Sequence, residues 1–275
     1  MLSGPGGLRS FARVCFIAGI HLAHGDPHKS DVGTDMKKRR PTGSAEGFYS
    51  SALAILVESE VPFMVGGAYA MRHYAGVVRD TKDLDVFCKT SDHARLLQAL
   101  TEAEYTTEIT DATWLAKAFH GDYLVDLIFG SRNNVCPVDD SWFNHASQVT
   151  LMGCEVLLVA PEEVLWTKAL VQDRDRFDGA DVMHLLRQQG RDLDWERLLL
   201  RMEPHWEVLL AHLIQFRWIY PADRDAAPTW VMEELLAREQ AQLTAPVPVE
   251  RVCRGPLLSK LQYQVDIEEW GYRER

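Results

Sequence analysis

The chain has 275 residues, enough for one or two domains with a sizeable core. Hydrophobic residues make up 47% and charged residues 25%, which excludes a disordered, collagen-like or low-complexity chain. With 29 Lys plus Arg against 40 Asp plus Glu, the formal charge is −11. That excludes non-specific coating of nucleic acid but not nucleotide binding, where metal ions and a few local cations supply the positive charge.

Residues 1–45 read as a poorly ordered N-terminal extension. Phe11 to Ala23 is mildly apolar but interrupted by Arg13 and His21, with no clear small-residue cleavage site after it. No run of about 18 apolar residues exists for a membrane helix. His21, His24 and His28 read as a solvated tail rather than a metal cluster. Lys37-Lys38-Arg39-Arg40 reads as a solvated linker before Pro41, the alternative being contact with RNA or an acidic partner. The composition break beside Met36 makes that residue the expected natural start. The five cysteines (Cys15, Cys88, Cys136, Cys154 and Cys253) are widely spaced and form no C-x-x-C pair. They are expected as reduced, mostly buried thiols of a cytoplasmic protein.

From Phe48 the pattern becomes regular. Phe48, Ala52, Ile55 and Leu56 follow helical spacing to Glu58. Residues 61–65 predict a buried strand that stops at Gly66-Gly67, and 68–74 a helix opening from the glycine pair. Residues 84–88 predict a second strand and 93–104 a helix. Residues 105–109, 113–119 and 123–129 predict three more strands, and 148–152 with 155–159 a hairpin around Gly153. Pro161 followed by Glu162 and Glu163 is a helix-start signal. Helices are then expected at 161–172, 178–189, 194–202, 205–219 and 229–240. The fold class is therefore α/β (α+β): a mixed β-sheet core flanked by helices over 46–160, followed by a mostly helical C-terminal domain over 161–275. Trp195, Trp206, Trp218 and Trp230 fall in the helical patterns and are expected as packing residues rather than base-stacking platforms. His120 is expected as a structural histidine, with proton transfer as the other role weighed for it.

One constellation carries chemistry. A strand ends in Gly66-Gly67, where the backbone can approach a ligand, and a helix start follows whose free N–H groups suit an anion. The next strand carries Asp83 and Asp85, which at i and i+2 point to one face. Two adjacent carboxylates repel unless a cation lies between them, and an oxygen-rich site of this kind suits Mg²⁺ shared with phosphates. In residues 122–129 Asp126 faces opposite to Val125, Leu127 and Phe129. An acid among apolar neighbours is costly to bury unless it completes such a site. Asp122 shares its face and is the alternative third carboxylate.

With these residues in view, the chain resembles the nucleotidyltransferase superfamily that includes DNA polymerase beta. The pattern is a strand ending in a glycine pair, an Asp-x-Asp strand, and a third Asp on a later strand. Gly66-Gly67-Ala68 through Arg79-x-Thr81-x-Asp83-Leu84-Asp85 is similar to small stand-alone bacterial and archaeal members of the antibiotic-modifying and toxin–antitoxin types. The stretch from Pro161 to Lys168 looks like the family's helix with a lysine facing the site, and Arg176 to Asp181 like the Arg/Asp-rich helix start that follows. The second glycine stands where many members have serine, so a hydroxyl contact to triphosphate is absent.

The resemblance implies transfer of a nucleoside monophosphate from an NTP, ATP among them, to an acceptor with release of pyrophosphate. Asp83, Asp85 and Asp126 would bind two Mg²⁺ (or Mn²⁺) ions and act as the catalytic carboxylates, Asp126 alternatively as general base. Gly66, Gly67, Arg79, Thr81, Lys82, Lys168 and Asp178 would bind the nucleotide, Lys168 meeting charge on the leaving pyrophosphate. For Arg79 and Lys82 the alternative is exposed loop charge, and for Lys168 a helix-surface cation. The favoured acceptor is a small molecule such as a cationic antibiotic, with tRNA or a protein side chain as the other classes and no membrane. The competing reading is a non-catalytic, antitoxin-like nucleotide-binding or interaction module on the same fold.

Overall fold

The computed structural model describes residues 45–275. The N-terminal extension with its histidines, the basic tetrad, Met36 and Cys15 lie outside the described residues. Helix α1 (Ala45–Glu58) buries Phe48, Tyr49, Ala52, Leu53 and Leu56 along one stripe. Pro62 follows and has no N–H for a ladder, so only Met64–Val65 of the expected 61–65 strand pairs, as β1. Helix α2 (Gly67–Ala75) starts directly from it. Next come β2 (Asp83–Phe87), α3 (His93–Glu102), β3 (Thr106–Asp111), β4 (Leu115–His120) and β5 (Tyr123–Ile128), each within a few residues of expectation. Helix α4 (Asp140–His145) was not expected. Asp139 nucleates it by accepting the N–H groups of Ser141 and Trp142. Strands β6 (Ser147–Leu151) and β7 (Cys154–Leu158) form the hairpin around Gly153.

Seven strands make one mixed sheet in the order β3-β4-β5-β2-β1-β7-β6. Strand β1 is antiparallel to β2 and parallel to β7, and β2 is parallel to β5. One face of the sheet is apolar: Leu84, Val86, Ala116, Ala118, Val125 and Leu127 are all 0% exposed. They pack beneath α1 and α3. Each large side chain there contributes about 1.5–3 kcal/mol. Period-2 alternation then forces Asp83, Asp85, Lys117 and Asp126 onto the other face. The two-residue turn Gly121-Asp122, with Gly121 at φ 67°, pairs His120 with Tyr123 and therefore Lys117 with Asp126.

The helical half comprises α5 (Pro161–Ala169), α6 (Gly179–Gln189), α7 (Trp195–Arg201), α8 (Trp206–Ile219) and α9 (Thr229–Thr244). Helix α5 stops at Ala169 rather than 172, and beyond it the Gln172 N–H donates to Leu258 O at 3.2 Å. Helix α9 runs past 240 because no breaker intervenes before Pro246. Glu162 and Glu163, expected as helix-start charges, are also buried partners of Arg197 on α7, and Arg201 Nε lies 3.5 Å from Glu163. Trp195 is buried and Trp206 packs against the core. Trp218 and Trp230, however, are 82% and 44% exposed. Helix α8 buries the face carrying Leu209, Leu213 and Phe216, and Trp218 lies two residues beyond Phe216, on the opposite side.

The last stretch holds β8 (Val252–Cys253), α10 (Gln264–Glu268) and β9 (Arg273–Glu274), with β8 and β9 in a small parallel ribbon. The four described cysteines are free; Cys88 and Cys136 are buried, Cys154 and Cys253 half-buried. No helix among the described residues is long and apolar enough to cross a membrane.

Candidate active site

The site begins as a row across the sheet. Asp85 on β2 stands opposite Asp126 on β5, and Asp126 stands opposite Lys117 on β4. Asp83 lies two residues before Asp85 on the same face. Carboxylate oxygens of Asp83, Asp85 and Asp126 lie within 4.8 Å of one another. Like charges placed opposite one another destabilise a sheet unless a cation joins them. Burial first, then Asp83 and Asp126, push the Asp85 carboxyl up to about 7, with Lys168 and Arg176 opposing. Burial also raises Asp126, and there the hydrogen bond and charge of Lys117 oppose it. Three carboxylates and no nitrogen or sulfur donor form a set that suits Mg²⁺ or Mn²⁺. The residues present fit such an ion.

Thr81 steadies this row. Its hydroxyl donates to the Asp83 carboxylate and also lies 3.0 Å from the Asp83 backbone oxygen. Gly66 donates its N–H to the Asp85 backbone oxygen at 3.0 Å, which ties the end of β1 to β2. Gly67 opens α2 at φ 52°. A Cβ there would overlap the Asp85 carboxylate and come within 2.9 Å of the Asp85 Cβ. The first amides of α2 have no helical carbonyl to pair with, so the helix brings N–H donors to the edge of the carboxylate site.

These residues face a cleft of about 1240 Å³ whose wall includes Gly67, Arg79, Thr81 and Lys168. Lys168 Nζ lies 3.1 Å from Asp178 and 2.8 Å from Asp181. Arg79 pairs with Asp181, and Arg176 with Asp178 at 3.2 Å. Burial pulls the Lys168 ammonium below its ordinary value while Asp178 opposes the shift. Burial acts to raise the Asp178 carboxyl, but Lys168 and Arg176 outweigh it and hold the group low. Arg79, Lys168, Arg176, Asp178 and Asp181 thus form one ion-pair cluster on the cleft wall.

The structure does not bring every expected residue to the cleft. Lys82 is exposed and lies outside its wall, because β2 begins one residue later and the side chain before Asp83 points away. Gly66 acts through its backbone and does not line the cleft. Asp122 sits in the exposed turn between β4 and β5, which leaves Asp126 as the third carboxylate. His120 packs against the rings of Phe48 and Tyr105, at 6.3 and 5.4 Å between centroids, and is absent from the cleft wall. Sequence reasoning missed Lys117, whose Nζ lies 2.8 Å from Asp126. The length of the turn after His120 was the available signal. It also missed the far wall, where Arg254, Leu257 and Lys260 line the cleft and the Leu257 oxygen accepts from Asn133 Nδ2 at 2.6 Å.

No protein-family model and no curated protein matches the chain. In structure, as in its motif, the chain resembles nucleotidyltransferases. One similar solved structure is the solution structure of the antibiotic-resistance factor ANT(2'')-Ia, at 13% identity and TM-score 0.43, covering 61% of this chain and 97% of that one. A second is the lincosamide antibiotic adenylyltransferase LnuA with lincomycin bound, at 16% and 0.37, covering 52% and 96%. A third is an antigenic nucleotidyltransferase-like protein from Paracoccidioides brasiliensis, at 16% and 0.40, covering 66% and 93%. At these identities and scores no residue role is carried over from any of them.

Proposed function

We propose that this chain is a nucleotidyltransferase that moves a nucleoside monophosphate from an NTP to an acceptor hydroxyl and releases pyrophosphate. The observation that carries the reading is the row of three carboxylates beside a glycine-opened helix start, at the edge of one cleft. Mg²⁺ or Mn²⁺ held by Asp83, Asp85 and Asp126 would supply Lewis-acid polarisation and counter-charge for the triphosphate.

The chain's own groups divide the remaining work. The amides at the start of α2, from Gly67 onward, receive the phosphates. Asp126, whose carboxyl burial raises, accepts the proton of the acceptor hydroxyl. The freed oxygen attacks the α-phosphorus as the bond to pyrophosphate breaks. The Arg79, Lys168 and Arg176 cluster sets the positive edge toward which that leaving charge develops. In this reading residues 46–160 hold the donor and 161–275 select the acceptor, in a cytoplasmic protein. A small hydroxylated molecule, an antibiotic among them, is the favoured acceptor class, with RNA or a protein hydroxyl as the alternatives.

Calorimetric titration of each NTP with and without Mg²⁺ tests the reading in wild type, Asp83→Asn and Asp85→Asn. Mg²⁺-dependent binding lost in both variants supports it. No binding to any protein moves the assignment to a non-catalytic interaction module.

A further inference from the structure

The three carboxylates are not equivalent. Among the described residues Asp83 and Asp85 enter no ion pair, whereas Asp126 is held by Lys117 Nζ at 2.8 Å. Both partners of that pair are largely shielded, with side-chain exposures of 22% and 14%. A loose surface pair contributes little, but a shielded pair fixed in register resists exchange with solvent ions. The register leaves Lys117 one other acid, Glu108 on β3. Glu108 instead accepts the Thr110 hydroxyl at 3.0 Å, and among the described residues Asp126 is the only ion-pair partner of Lys117. The row therefore reads Glu108, Lys117, Asp126, Asp85, with a built-in cation at one side of Asp126 and none at the other.

We propose that Lys117 is a positioning residue that serves as the resident cation of Asp126 and limits the nucleotide-free site to one divalent ion. The inference rests on the nucleotidyltransferase reading and deepens it. An ammonium at Asp126 repels a second dication approaching the same carboxylate, and the repulsion is strong where water is scarce. One ion between Asp83 and Asp85 meets only the more distant charges of Lys168 and Arg176, neither of which pairs with those carboxylates. A second becomes favourable when a bound polyphosphate adds negative charge to the cleft. Metal loading is thereby coupled to donor binding by one side chain.

The test counts Mn²⁺ bound to the full chain without nucleotide, from the electron paramagnetic resonance signal of free Mn²⁺. Wild type and Lys117→Arg are expected to bind one ion. Lys117→Met and Lys117→Gln are expected to bind a second. Asp83→Asn is expected to lose the ion and so locate it. Two ions in wild type, or neutral variants that still bind only one, overturn the role of Lys117 and leave the nucleotidyltransferase reading standing. An Asp83→Asn protein that binds like wild type, or no Mn²⁺ on any protein, overturns both. Thermal unfolding of each variant serves as the folding control. If both neutral variants are unfolded, Lys117 is a structural residue and the proposal fails.

Discussion

Gly67 and Asp85 occupy each other's space: the α-carbon of the first lies where the carboxylate of the second leaves no room for a side chain. The positive φ of Gly67 adds a backbone penalty for any other residue. Gly67→Ser is expected to lose about 1–3 kcal/mol of stability. It should also displace Asp85, so divalent-metal binding falls with it. Urea unfolding and metal titration check the two effects. A variant that keeps wild-type metal affinity would remove Gly67 from the site.

The pH response follows from Asp85. Its carboxyl is raised in the fold to about 7, from an ordinary value near 4. The folded state then holds a proton that the unfolded chain releases. Metal-free protein is therefore expected to lose stability as pH rises through roughly 4 to 7, with the loss complete above 7. Asp85→Asn removes the ionising group and flattens that slope. Its melting temperature in chelator at pH 8 should exceed that of wild type, while the proposed transfer should be lost. Adding Mg²⁺ should raise the wild-type value at pH 8 and leave the variant unchanged.

Removing Lys168 breaks the cluster it centres. Lys168→Met leaves Asp178 and Asp181 without the ammonium at 3.1 and 2.8 Å. Asp181 keeps Arg79 and Asp178 keeps Arg176, so the loss should fall below the ~3–5 kcal/mol of a shielded charge left wholly unpaired. Asp178 is held low in the fold, so its contribution is present above its unfolded value and is lost as pH falls through its folded one. The variant should accordingly show a weaker acid-side dependence than wild type below about pH 4. Acid titration followed by circular dichroism measures this.

Arg197 is the structural counterpart outside the cleft. It pairs with Glu162 and Glu163, which are 5% and 0% exposed. Arg197→Ala leaves buried Glu162 without an ion pair and Glu163 with Arg201 alone at 3.5 Å, and should cost about 3–5 kcal/mol. Because Glu163 and Lys168 share α5, nucleotide affinity should fall as well. Arg197→Lys should recover only part of the stability, since the fork that meets two carboxylates is lost.

The carboxylate row was legible in part from local rules. The i, i+2 spacing put Asp83 and Asp85 on one face, and alternation in β5 put Asp126 opposite to Val125, Leu127 and Phe129 but left Asp122 as the alternative. Lys117 needed one further step: a two-residue turn at Gly121-Asp122 sets the register, after which the pairing is arithmetic. Lys168 was legible as a residue aimed at the site but not as one already engaged by two acids, because Asp178 and Asp181 reach it only after the chain turns between α5 and α6. The cleft wall around Leu257 depends on contacts more than a hundred residues apart, such as Asn133 with Leu257, and no local pattern reports those. Trp218 and Trp230 illustrate the reverse error. Helical periodicity predicts that a helix has a buried face, but a bulky aromatic residue does not declare which face that is.

Strand β1 has a mechanical consequence. It contributes only Met64 and Val65, yet it alone joins the four strands on the β2 side, which carry the acids, to the β7–β6 hairpin. Both residues are fully buried, so the join is held from above and below rather than by length. The sheet is in effect two plates with a narrow weld, and the Gly66-Gly67 turn beside the carboxylates grows from the end of that weld. Any flexing of one plate against the other is concentrated at the one place where the site can least absorb it.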